Sequence, residues 1–236
     1  MADEPTLLLD FDLRLGVTSF LLKAEGGHTI IDALAQAGRL DRDLWATLVS
    51  QIGNLHLLGS GPVDFSRPIP PECFTELLNF AVRQYSVVAV DLPGAMEDHE
   101  CEVLMRSKKI FLVCTPDIGA MHVARRKVNW LSDMRLTGKT SVILNLVGRR
   151  SALSVGDIER IIQMPVSYLV PDGVKEVTRA AQNGVLLEGS GPVAKQIAKI
   201  AAEMTGGRHA PKKSNPVRRF VEYFSISAAR EAESDG

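Results

Sequence analysis

The run SVVAVD at 86–91 ends on a carboxylate, Asp91, and is followed at once by Leu92, Pro93 and Gly94. An acid at the carboxyl end of a buried parallel strand lies at the edge where such sheets bind ligands. Apolar residues, an acid and a Pro-Gly turn have the form of a Walker B site, whose carboxylate holds Mg2+, often through water. The same residues would also suit an acid that caps its following loop. A second acidic element, Asp10-Phe11-Asp12, closes the run TLLLDFD. Two acids two residues apart on one strand face are costly to bury unless a cation or hydrogen-bond donors meet them. A magnesium–phosphate site would meet them, and one carboxylate could then orient an attacking water. The plainer alternative is a strand that stops here with its acids solvated.

Other chemistry finds little support. The five histidines, His28, His56, His99, His122 and His209, have no metal-ligand spacing such as HExxH and are expected on the surface. His99, Glu100 and Cys101 are adjacent in sequence, and adjacent side chains on a helix do not face one another. Cys73, Cys101 and Cys114 form neither a disulfide framework nor a CxxC pattern, and read as small buried hydrophobes in a reducing compartment. No GxSxG or Ser/His/Asp set is present.

The elements that must position the acids follow from hydrophobic patterning. Short apolar runs at 6–11, 55–58, 86–92, 110–114, 141–147 and 166–170 are nearly continuous, the pattern of strands buried on both faces of a parallel sheet. Helices are expected from Thr29, from an Asp41 cap to Gln51, and from Pro70 or Pro71 to Gln84. Others run from Pro116 or Asp117 to Arg135, from a Ser154 cap to Gln163, from an Asp172 cap to Asn183 with Gly184 as C-cap, and from Pro192 to Met204. The alternation predicts an α/β domain, a mostly parallel sheet with helices on both faces, over 1–205. From Gly206 a basic linker, GGRHAPKKSNPVRR, precedes a tail whose Val217, Phe220, Val221, Phe224 and Ala228 fall at helical spacing.

With 236 residues the chain can bury a real core, and 27 basic against 28 acidic side chains argue against binding nucleic acid by bulk charge. Aromatic residues make up 6%, too few to suggest a base-stacking surface. The acidic start MADEP has no basic leader, and no apolar run approaches a membrane span of about 20 residues. A cytoplasmic protein is expected.

The order DFDLRLG, NLHLLGSG, VVAVDLPG, IFLVCTPDIGAMHVARR, VILNLVGRRSALSVGDIER, MPVSYLVPDGVKEVTRAAQNG and SGPVAKQIAKIAAEM resembles the ParA/MinD class of deviant Walker ATPases over about residues 6–205. It is most similar to the CpaE-like branch, associated with Tad-type pilus localisation and assembly. The resemblance implies a P-loop NTPase-like fold of the SIMIBI class, ATP and Mg2+ as cofactors, and ATP hydrolysis coupled to dimerisation and to placement or assembly of a pilus or secretion machine. Asp12 matches the second acid of the family's DxD, which positions the hydrolytic water and contacts the magnesium shell, with Asp10 as the first acid beside the nucleotide. Asp91 matches the Walker B metal acid, Gly94 the switch turn beside the γ-phosphate, Asn145 the adenine-binding Asn, and Pro171 and Asp172 the turn against the base. Arg14 stands where the family often has Gln. Thr115-Pro116-Asp117 is similar to the family's strand-to-helix turn, where Pro116 starts the helix and Thr115 or Asp117 caps it.

This class needs a Gly-rich loop with a lysine to hold the triphosphate, placed before the DxD strand. Here only MADEP precedes that strand, so the first strand, the P-loop and the first helix are expected to be missing. Gly138-Lys139-Thr140 is a decoy: position 133 is Asp, and the expected context is helix before and strand after. An N-terminally incomplete ATPase and a divergent, non-hydrolysing scaffold or interaction module both remain open. Arg125-Arg126-Lys127 reads as a solvated face, and no specific nucleic-acid partner is expected. The tail resembles weakly the amphipathic helix with which MinD relatives dock on anionic membranes, implying a peripheral location at the inner face. A solvated disordered end is the competing reading.

Overall fold

The structure is a computed structural model that describes residues 5–24, 27–61, 69–148, 153–187 and 191–204. They fall into two compact units, one within residues 1–107 together with 173–204, the other 108–172.

In the first unit, the continuous apolar run Thr6–Asp10 forms β1 at the inside of a four-stranded sheet. The sheet order is β2-β3-β1-β4, with β2 Ser50–Ile52, β3 Leu55–Leu58 and β4 Val87–Asp91. β1 is parallel to both neighbours, Thr6 facing Leu55 on one side and Val87 on the other. Alternate side chains divide the core. Leu7, Leu9 and Phe11 pack on one face with Ile30, Leu34, Trp45, Leu48, Phe74 and Leu77, from α2 Ile30–Leu34, α3 Arg42–Leu48 and α4 Pro71–Gln84. Leu8, Leu55, Leu57 and Ala89 pack on the other face with Leu22, Ala24 and Leu186. Leu22 and Ala24 follow the short α1 Thr18–Leu21, and Leu186 follows α8 Val174–Asn183. α5 Asp98–Arg106 and α9 Pro192–Met204 complete the unit's described helices.

The second unit is a parallel sheet of β5 Ile110–Cys114, β6 Thr140–Val147 and β7 Val166–Pro171, in that order. α6 Ile118–Asp133 and α7 Val155–Ile162 bury Met121, Ala124, Val128, Ile158 and Ile162 against Leu112, Val142 and Leu144. Asp117 caps α6 by accepting the Ala120 N–H at 2.8 Å, and Thr115 donates its hydroxyl to the same carboxylate at 2.5 Å. The strand-to-helix turn therefore does the capping expected of it. Ser154 caps α7 in a reciprocal pair with Asp157, and Gly184 ends α8 as expected.

Several elements differ from the patterning. The helix expected from Asp41 to Gln51 stops at Leu48, because Val49 is extended and residues 50–52 pair antiparallel with β3 as a hairpin. α1 and α5 were not foreseen; the first has four residues, and the second is strongly polar on one side. Asp172 does not cap α8: Gly173 takes that position with no side-chain hydrogen bond, and the Asp172 N–H donates to the Val147 carbonyl instead. The parallel strands form two sheets rather than one, and among the described residues β4 pairs only with β1 and β5 only with β6. Of the expected 1–205 domain and 206–236 tail, the tail lies outside the described residues.

Candidate functional site

The carboxyl edge of β1 and β4 gathers the acids. Asp10 and Asp91 are partners in register on adjacent parallel strands, and the Phe11 N–H donates to the Asp91 carbonyl at 2.9 Å. Paired residues of parallel strands share a face, so the DxD and Walker B-type elements open at one edge of one sheet. The two acids of the DxD nevertheless do different things. β1 ends at Asp10, so Asp12 lies beyond the strand and the pair does not share a strand face.

Asp10 is fully buried. Its Oδ2 accepts the Thr18 hydroxyl at 2.6 Å and the Thr18 N–H at 3.3 Å, while Oδ1 accepts the Asp12 N–H at 3.1 Å. These donors are what allows the carboxylate to be buried. Gly16 passes so close that a Cβ there would lie 2.5 Å from Asp10 Oδ2 and 2.3 Å from Ser60 Oγ. Only glycine lets the 12–16 turn approach in this way. Asp12 is half-buried, and its Oδ1 accepts the N–H groups of Leu15 at 2.9 Å and Arg14 at 3.3 Å. Its second oxygen has no partner among the described residues. Arg14 bridges to Glu97, 3.2 Å away on the loop after β4, and so links the turns that follow the two acids. Both side chains are well exposed, so the pair adds about 0–1 kcal/mol and mainly sets proximity.

The turn after Asp91 is built around a residue that sequence reading passed over. Glu100, buried on α5, accepts the N–H groups of Gly94 at 3.0 Å, Ala95 at 3.2 Å and Met96 at 2.5 Å. Gly94 and Met96 both have left-handed backbone, φ 69° and 64°. For Gly94 this costs nothing; for Met96 it is strained and held by the Glu100 bond. An acid in the first turn of a helix just after a Gly-containing loop was the available signal. His99 is not a surface residue as expected: it stacks on Phe74 at 4.7 Å, near Phe11, with Nδ1 3.6 Å from Glu97. His56 is also half-buried, its Nδ1 2.6 Å from the Tyr85 hydroxyl, which accepts the Trp45 indole N–H at 2.8 Å. Burial lowers the His56 pKa.

In the second unit, β6 and β7 bring Asn145 and Pro171-Asp172 to one end of their sheet. The register breaks between Leu144 and Val147, and beyond the break Val147 pairs with Pro171. Leu146 is left-handed at φ 56°, and its N–H donates to Asn145 Oδ1 at 2.9 Å. The amide nitrogen of Asn145 thus remains to donate, on a bulge that the sequence did not announce. Gly138-Lys139-Thr140 lies on a 3₁₀ turn that runs into β6, so no helix begins there to receive a phosphate.

Among the described residues no three His, Cys, Asp or Glu side chains converge to hold a metal ion. Mg2+ keeps several waters and takes one or two carboxylates plus substrate phosphates, and carboxylates that end or follow adjacent parallel strands are donors of that kind. Asp10, its oxygens taken by Thr18 and Asp12, fits a supporting role. Among the described residues no helix is long and apolar enough to cross a membrane.

Mostly parallel strands with helices, in both units, give an α/β fold of the P-loop NTPase-like type seen in the solved neighbours. Within it, the fold is that of the MinD/ParA deviant Walker ATPases. No family model matches the chain. It is 21% identical over 213 residues to the septum site-determining protein MinD of Thermotoga maritima, covering 86% of this chain and 78% of that one. A ParA family ATPase from Chlorobium tepidum superposes with a TM-score of 0.76 at 23% identity, covering 85% of this chain and 87% of the other. MinD of Pyrococcus horikoshii, solved with Mg-ADP, gives a TM-score of 0.68 at 18% identity over 84% and 82% of the two chains.

Proposed function

We propose that the chain is a CpaE-like ATPase domain of the MinD/ParA type, binding and hydrolysing ATP with Mg2+ as part of a dimerisation cycle that places or assembles a pilus or secretion machine. The observation that carries this reading is the in-register pairing of Asp10 with Asp91, which sets the DxD turn beside the strand-end acid. Asp12 and Asp91 would hold the Mg2+, and Asp12 would orient the water. Bound metal would supply charge neutralisation on the phosphates. Asn145, with Pro171 and Asp172, would receive the adenine, its amide nitrogen donating to the base edge. Among the described residues β4 pairs on one edge only, which suits a further parallel strand such as the one that carries the P-loop in the resemblance. The dimer would be a homodimer, with pilus or secretion proteins as partners and the 206–236 tail as the point of contact with anionic lipid.

One observation favours a second reading, a non-hydrolysing scaffold of the same fold. The amides of the Gly94 turn, which the resemblance sets beside the γ-phosphate, are engaged by Glu100. Titrating the folded chain with fluorescent ATP and Mg2+ separates the two. Micromolar binding lost in Asp91→Ala supports the ATPase; no binding by a monodisperse sample supports the scaffold.

A further inference from the structure

We propose that Glu100 is an internal anion that holds the turn after β4 shut against phosphoryl groups, and that the turn opens only when this carboxylate leaves. Three consecutive backbone N–H groups, those of Gly94, Ala95 and Met96, converge on its two oxygens at 3.0, 3.2 and 2.5 Å. The left-handed φ of Gly94 and Met96, with Ala95 between them, turns the successive amides to a common side. Such a concave run of amides binds anions. Here the anion is the protein's own, and at 1% exposure its charge has given up water for these donors.

Each amide has one proton to donate. A phosphoryl oxygen reaching the turn must therefore displace Glu100 or share its donors while facing its negative charge at short range, where screening is weak. The shut turn rejects the ligand class that the same amides would accept if free. The adjoining His99 adds an unmet polar atom on the same segment. Its Nε2 is buried with no hydrogen-bond partner among the described residues, and its side chain is only 12% exposed. A buried polar atom left unmet is a cost that another position of the 94–100 segment can relieve. Arg14, bonded to Glu97 on that segment, ties the position of the turn to the loop that follows Asp12. The inference goes beyond the proposed ATPase cycle and does not depend on hydrolysis.

The test is residue-resolved amide exchange on the full chain, with Glu100→Gln and Glu100→Ala, followed by titration with inorganic tripolyphosphate. In the parent, the amides of residues 94–96 should be protected and should not shift with tripolyphosphate. Removing the charge should speed their exchange by about tenfold or more, equivalent to about 1.4 kcal/mol. It should also let tripolyphosphate shift the same three amides, while the β1 amides of Leu7 and Leu9 stay protected. Glu100→Gln keeps the side-chain volume and is read if the alanine variant does not fold. Unchanged exchange at 94–96 in Glu100→Gln would overturn the lock. So would shifts in the parent at the tripolyphosphate concentrations that move the variants.

Discussion

Thr18→Val tests the burial of Asp10 with little change of shape. It removes one hydroxyl, whose bond to Asp10 Oδ2 is 2.6 Å long, between side chains of residues that are 1% exposed and fully buried. The carboxylate keeps the N–H groups of Asp12 and Thr18, at the longer distances of 3.1 and 3.3 Å. Hydrogen bonds to charged groups contribute about 1.5–3 kcal/mol, and a buried acceptor left under-met lies at the upper end. The expected loss is therefore about 2–3 kcal/mol. For a chain of this size each kcal/mol moves the melting temperature by roughly 2–4 °C, which gives a fall of roughly 4–12 °C. Urea unfolding followed by tryptophan fluorescence in a Trp130→Phe background, which leaves Trp45 of the same unit as the reporter, reads the loss as a lower midpoint at unchanged slope. Repeating the substitution in an Asp10→Asn background completes the cycle. With a neutral acceptor the hydroxyl should contribute only about 1 kcal/mol. A cost under about 0.5 kcal/mol, or the same cost in both backgrounds, would show that Thr18 does not hold the Asp10 charge.

Further outcomes follow from the other sites. Burial lowers the His56 pKa below 6.5, so below that pH the unfolded chain takes up a proton that the folded one resists. Stability should then fall as pH drops below about 6.5, and His56→Gln should flatten that slope in urea melts at successive pH values. Asp117→Ala should cost about 1 kcal/mol through loss of the α6 cap, read by the same unfolding assay. The Thr115 hydroxyl, ahead of the Ala120 amide, holds the Asp117 carboxyl below its usual 3.8. That contribution is present above about pH 3.8 and lost as pH falls through the folded value, so the variant should lose less stability on acidification. Burial pushes the Cys114 thiol up to about 11, so a thiolate reagent at pH 8 should label it last of the three cysteines, as peptide mapping would show.

The fold was largely visible in the residues. Continuous apolar runs located β1, β3, β4, β5, β6 and β7, because strands buried by helices need no alternation. β2 was hidden because three residues, Ser50–Ile52, carry too little pattern to be told from the end of α3. α5 was not delimited by patterning because Asp98, Glu100 and Glu102 interrupt its apolar stripe, although Glu100 is buried. At the site, type and spacing singled out Asp91 and the Asp10–Asp12 pair, and only the family resemblance pointed to Asn145; type and spacing could not separate Asp10 from Asp12. What divides them is where β1 ends and the presence of Thr18, eight residues away, which no local pattern connects to Asp10. Glu100 was missed for the same reason: its function lies in backbone amides, and the sequence does not show which way an amide points.

The DxD turn and the strand-end acid are proposed to hold a metal–nucleotide together. Mn2+ in place of Mg2+ broadens the NMR signals of nearby amides and so reports directly on where the metal sits. With ATP present, the account predicts broadening confined to the residues that follow β1 and β4, around Asp12 and Asp91, and its loss in Asp91→Ala. Broadening centred elsewhere, or unchanged in Asp91→Ala, would contradict it.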